Sequence, residues 1–208
     1  MSTMAQDGGR QQGAAVDLMH IVRINEEIKH VVAVAFRINI MALNAIFLAK
    51  RAGSAALGFG VLSNELRVFS NDLRESMMAL TRLIHAAVSE VSIVLQGARQ
   101  KELIRTTAEI LPDASLLQHV LDRHQLRHAE HAERIDSLRR QLWLAVEDAA
   151  RLVELGGILA KSAKIEAAYG GSFAVSLGQV SGEFDGVVGE IRQSLDKLRH
   201  SRFFRKTT

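Results

Sequence analysis

The stretch that decides the fold is AFRINIMALNAIFLAKRAGSAALGFGVLSNELR, from Ala35 to Arg67. It reads as a helical pattern that stops at Ala52-Gly53-Ser54 and resumes near Gly58. Gly53 supplies the left-handed backbone conformation that commonly ends helices. The reading is a helical hairpin with its tip at Gly53 and Ser54.

Upstream, Leu18, Ile21, Ile28, Val31, Ala35, Ile38, Ala42 and Ala49 recur at three, four or seven residues. They place an apolar stripe on one face of a first helix that runs from about Ala14 to Arg51. The preceding residues, MSTMAQDGGRQQG, read as a disordered leader over 1–13, without the apolar core of a secretion signal. Downstream, Leu62, Leu66, Phe69, Leu73, Ser76, Leu80, Leu83 and Ala87 alternate steps of four and three. This 3.5-residue period belongs to long helices wound in a left-handed supercoil. Gly97 weakens the second helix, which continues to the single proline, Pro112. There the chain stops and restarts, with Asp113 or Ser115 as the cap.

A third helix is expected from about Ala114 to Ala168, ~80 Å long if unbroken. Its first half is densely charged and its second half apolar, with Gly156-Gly157 marking a weak point or a close backbone approach. A second tip follows at Gly170-Gly171, then a fourth amphipathic helix from Phe173 to about Phe204. Val175, Leu177, Val180, Phe184, Val187, Val188, Ile191, Leu195 and Leu198 form its apolar positions.

The two hairpins align without a gap, Ile40–Ser76 on Ile158–Ser194. Gly53 falls on Gly171, Ser63 on Ser181, Glu65 on Glu183 and Arg74 on Arg192. The alignment points to duplication of one helix-turn-helix unit. The alternative is that two amphipathic hairpins look alike because both obey heptad rules. The expected architecture is all-α, an antiparallel up-down-up-down four-helix bundle of coiled-coil type. Both tips lie at one end, with a longer helix 2–helix 3 extension around Gln96 to Leu126. It forms a single domain over 14–208, with hairpins of about 14–110 and 114–205.

Composition supports an all-α chain: hydrophobic residues make up 48% of 208, with one Trp and one Tyr. The absence of cysteine excludes disulfides and thiolate chemistry and fits a cytoplasmic setting. The pI is about 9.5, but the net charge is only +3 among 26 basic and 23 acidic residues, which does not suggest nucleic acid. No run approaches the ~18 consecutive apolar residues of a membrane span, the best being Val31–Phe36.

The stretch around Gly53 resembles the kinase-coupling tip of bacterial chemoreceptors, the methyl-accepting chemotaxis proteins. That family reads roughly F-Q-T-N-I-L-A-L-N-A, then A-x-E-A-A-R-A-G-E-x-G-x-G-F-A-V-V-A-x-E-V-R. Phe36, Asn39, Ile40, Ala42, Leu43, Asn44 and Ala45 match it, followed by Arg51, Ala52, Gly53, Gly58, Phe59, Val61, Glu65 and Arg67. Ile165–Gly171, IEAAYGG, is a weaker echo in the second hairpin.

From spacing alone, Phe36, Ile40 and Leu43 share nearly one face and are either a docking strip or bundle core. The resemblance implies that they, with Arg51 and Val61, match the positions that grip the coupling adaptor and histidine kinase. Asn39 and Asn44 are expected to set register across the bundle. Leu48 and Ser54 stand where the family has glutamates, and Ala56 replaces a glycine. In the second hairpin Glu154, Lys161, Tyr169 and Gln179 occupy the places of Phe36, Leu43, Arg51 and Val61. No receptor membrane span, ligand-binding domain or methylation helices are recognised.

The resulting expectation is a non-enzymatic signalling protein in which one chain, as a monomer, forms what a receptor dimer forms from two; a dimer is the alternative. Its partners would be the chemotaxis kinase and adaptor, or chemoreceptors, and it would need no cofactor. Two other functions remain open. His124, His128 and His131 lie at i, i+4 and i+7, which reads first as a solvated, weakly basic helix face and alternatively as the centre of a sensor responsive to zinc, nickel or another ligand. The bundle could instead be a scaffold that assembles through its tips. The tail around Phe203 and Phe204, with Arg202 and Arg205, suggests either a lipid contact or a frayed end.

Overall fold

The turns at Gly53 and Gly171 fall where glycine interrupts an otherwise continuous pattern of good helix formers. A computed structural model describes the backbone of residues 2–108 and 115–204, and the side chains of 16–107 and 119–204. The helices are α1 (Ser2–Ala52), α2 (Leu57–Ala108), α3 (Ser115–Ala168) and α4 (Ala174–Arg199). Single 3-10 turns occupy Gly53–Ala56, Gly171–Phe173 and Arg202–Phe204. Every element among the described residues is helical, as an all-α reading requires. The α1 backbone is helical from Ser2 rather than from near Ala14. The proposed stop at Pro112 lies outside the described residues.

The chain is described as two compact units, where a single domain is expected over 14–208 from sequence. The tip unit comprises Asn25–Thr81 and Trp143–Ser201. The other comprises Met1–Ile24, Arg82–Leu142 and Arg202–Thr208.

In the tip unit each helix meets two others. The Ser70 hydroxyl donates to the Ala35 carbonyl at 2.6 Å, joining α2 to α1. Phe69 packs its ring on Gly156 of α3. Arg192 and Arg199 of α4 bond Glu154 and Glu147 of α3, at 3.3 and 2.7 Å. Arg37 of α1 meets Glu190 of α4 at 2.9 Å, and Lys197 meets Glu27 at 3.5 Å. Along every such pair of helices one residue number rises as the other falls, so each contact is antiparallel. Gly58, at the start of α2, faces the Glu166 carboxylate near the end of α3, which places both hairpin turns at one end of this unit.

The core repeats in the register of the two aligned hairpins. Ala42, Ala45 and Ala49 are buried, and so are Ala160, Ala163 and Ala167. Phe59, Ser63, Leu66, Phe69 and Leu73 are buried, as are Leu177, Ser181, Phe184, Val187 and Ile191. Heptad rules alone do not require that this register carry through both turns, but Gly53 (φ 68°) and Gly171 (φ 57°) also coincide. Thus α1 and α3 contribute small residues near the tips, while α2 and α4 contribute large ones. Burying each large side chain contributes roughly 1.5–3 kcal/mol. The buried Ser63 hydroxyl is satisfied by the Phe59 carbonyl at 2.7 Å.

In the other unit, Arg139 organises the packing. Its guanidinium donates to Asp17 at 3.1 Å and to Asp136 at 2.6 Å. It also lies 4.9 Å from the centroid of the Phe203 ring. Burial raises the Asp17 carboxyl above its ordinary range, against the pull of Arg139 and His20. Phe203 is 1% exposed, so it is not available for a lipid contact. For the same reason the fourth helix does not run on to Phe204. It ends at Arg199, His200 caps it by donating its backbone N–H to the Asp196 carbonyl, and a 3-10 turn carries Phe203 inward.

A further correction concerns hydropathy. Within Val16–Thr107 an 18-residue window reaches a mean hydropathy of 2.0, long and apolar enough to cross a membrane, and 33% of it is buried. Counting consecutive apolar residues misses it because Arg37, Asn39 and Asn44 interrupt the run without removing its average. Its apolar residues are partly bundle core, such as Ile38 and Ala42, and partly surface.

Candidate docking surface

Near the tip α1 carries two apolar stripes, each stepping alternately by three and four residues. The inner stripe, Ala35, Ile38, Ala42, Ala45 and Ala49, is buried. The outer stripe faces away: Phe36 is 53% exposed, Ile40 42%, Leu43 39% and Phe47 65%. The α2 helix adds Leu57, Val61 and Val68, all exposed. Contiguous apolar exposure of this kind marks interaction surfaces. Beside the turn, Ile46, Ala49, Leu57, Gly60 and Val61 line an open groove of about 510 Å³, with Lys50 and Asn64 at its edge. Gly60 faces the Ala49 methyl group there, and a Cβ at this position would touch it.

All five expected partner-contact residues lie on the surface, Arg51 among them. The bundle-core reading of Phe36, Ile40 and Leu43 therefore does not hold. Phe47 and Leu57 were missed, although Phe47 simply continues the stepping of Phe36, Ile40 and Leu43. Asn44 is exposed and Asn39 half-buried, so neither is a buried register-setting amide. At the turns, Gly53 and Gly171 need their positive φ, Ser54 is exposed, and Gly170 is buried against Leu177.

The face of the second hairpin differs. Ile158 and Ile165 are exposed, but Glu154 and Lys161 are interposed among them. Tyr169 and Gln179 are also exposed. Glu147, across α3–α4, accepts two bonds from Arg199 and holds that guanidinium above its ordinary basicity.

The three histidines of the other unit, His124, His128 and His131, line one small pocket of about 120 Å³ with Gln96, Gln100 and Arg127. His131 Nδ1 is 2.7 Å from Glu90 Oε2, and Arg134 is 3.7 Å from the same carboxyl group. Among the described residues no group of three His, Asp or Glu side chains is placed to hold a metal ion. The geometric reason is that i, i+4 and i+7 spread three imidazoles over two helical turns.

The chain is similar to chemotaxis transducers over about half its length or more. Methyl-accepting chemotaxis protein IV of Escherichia coli is 32% identical over 103 residues, 47% of this chain and 19% of that protein. The methyl-accepting chemotaxis aspartate transducer of Klebsiella aerogenes is 30% identical over 116 residues, 51% of this chain and 22% of that protein. Methyl-accepting chemotaxis protein I of Escherichia coli is 26% identical over 163 residues, covering 74% of this chain and 28% of that protein. The chain thus spans less than a third of the length of these relatives. No family model and no solved structure matches it. The similarity supports a chemoreceptor-like signalling role.

Proposed function

We propose that this chain is a non-enzymatic, chemoreceptor-like signalling protein that docks on the chemotaxis kinase–adaptor complex. In this reading one chain, as a monomer in the cytoplasm, supplies the bundle that a receptor makes from two. The observation that carries the proposal is the outer stripe of α1, Phe36, Ile40, Leu43 and Phe47, left exposed beside Arg51 and Val61. Its apolar residues would supply affinity and Arg51 the orientation.

The test is a binding titration of the purified chain with the coupling adaptor and with the histidine kinase encoded in the same genome. Binding should be lost at least tenfold in Phe36→Ala, about 1.4 kcal/mol, and more completely in Leu43→Glu, which places a carboxylate in the apolar contact. Circular dichroism should be unchanged in both variants, because both side chains are already exposed. Failure of the unmodified chain to bind either protein would remove the proposal.

A further inference from the structure

The repeat is symmetric in its core and asymmetric on its surface. The buried positions of hairpin one recur as buried positions in hairpin two, down to Ser63 and Ser181. The outer positions recur only in part: Ile158, Ile165 and Val175 match Ile40, Phe47 and Leu57 as exposed apolar residues, but Glu154, Lys161 and Gln179 stand in place of Phe36, Leu43 and Val61. In hairpin one the sequence of exposed side chains is Phe36, Ile40, Leu43 and Phe47; in hairpin two it is Glu154, Ile158, Lys161 and Ile165. Glu154 is already bonded to Arg192 at 3.3 Å. An apolar partner laid on the second face would have to cover the Glu154–Arg192 ion pair and the Lys161 ammonium, and the desolvation penalty opposes it.

Charge separates the two faces as well. Lys50 and Arg51 are exposed at the end of the first stripe and make no ion pair among the described residues. Their counterparts are Ala168 and Tyr169, neither of which has a basic group. An apolar surface with an acidic rim therefore complements the first hairpin along its whole stripe, whereas on the second, despite Lys161 and Lys164, it would meet the Glu154 carboxylate and lack the paired cations at the turn.

Resting on the docking role above, we infer that the chain is monovalent: one folded chain offers a single docking face, on the first hairpin, to one partner whose apolar surface has an acidic rim. Two identical hairpins would present two such faces and could bridge two partners. This chain occupies a partner without bridging, and so ends an assembly rather than extending it.

Size-exclusion chromatography with light scattering, on the full chain mixed with excess coupling adaptor, reads the stoichiometry. One adaptor per chain is expected. Two per chain would overturn monovalency while leaving docking intact, whereas no complex with adaptor or kinase would overturn the docking reading itself. A variant carrying E154F, K161L, Y169R and Q179V should bind two adaptors, and a well-folded variant that still binds one would also count against the inference. The single substitution K161E, which asks nothing of the fold, should leave adaptor affinity within twofold. A tenfold loss there would place the second face in the contact and refute the assignment.

Discussion

The ring of Phe69 on α2 packs directly against the backbone of Gly156 on α3, in the space where a Cβ would stand. Phe69 is 2% exposed, so its ring is enclosed by the core. Gly156→Ala should therefore destabilise the protein by about 1–3 kcal/mol through overpacking, more than the roughly 1 kcal/mol of helix propensity it gains. At the adjacent Gly157 the nearest obstacle is the flexible guanidinium end of Arg192. Gly157→Ala should be neutral or stabilising by up to about 1 kcal/mol. Urea denaturation of the two variants checks the contrast.

The hairpin turns should respond in the same way at both tips. Gly53 and Gly171 have open space where an alanine methyl group would stand, but their φ angles are +68° and +57°. Alanine at either should cost roughly 1–2 kcal/mol from backbone strain alone. Gly178, inside α4 with equal space and no positive φ, should gain up to about 1 kcal/mol as alanine. Thermal melts of the three variants decide the matter.

Two phenylalanines on the same hairpin should behave oppositely. Phe59 is fully buried and Phe47 is 65% exposed. Phe59→Ala should cost about 3–5 kcal/mol, while Phe47→Ser should change stability by no more than about 0.5 kcal/mol. If both cost several kcal/mol in chemical denaturation, the outer stripe is core.

Asp17 gives a pH dependence with a defined sign. Its carboxyl is raised above 3.8, first by burial, with Arg139 and His20 opposing. In the folded state the proton is therefore held to a higher pH than in the unfolded chain. The stability this group contributes is full below its unfolded pKa and is lost as pH rises through its folded pKa. Asp17→Asn has no such dependence. The stability of the parent chain minus that of the variant should thus increase as pH falls from 7 toward 4, measured by urea titrations at each pH.

Much of the fold was legible in the residues. Gly53 and Gly171 mark both turns because few other residues adopt positive φ readily, and the four-and-three stepping identifies long helices. The end of α4 was not legible: nothing local stops a helix at Arg199, and only the burial of Phe203 beneath Arg139 makes the turn favourable. The histidine spacing suggested a shared ligand site, yet His131 is engaged by Glu90 from α2, a residue forty-one positions away in sequence. Val175 fitted the amphipathic pattern but is 86% exposed, because the first turn of α4 has no helix covering that side.

By itself the sequence determined the helical class, the two glycine turns and the register in which the two hairpins repeat. All three follow from local backbone preference and from the period of the apolar residues. It did not determine which stripe of α1 faces inward. Ala35, Ile38, Ala42, Ala45 and Ala49 share their period with Phe36, Ile40, Leu43 and Phe47, and both sets are apolar. The tertiary structure chose the alanine-rich stripe, because the core already holds Phe59, Phe69 and Phe184. Beside such large side chains only small residues on α1 let the helices approach closely, and the second stripe is left exposed.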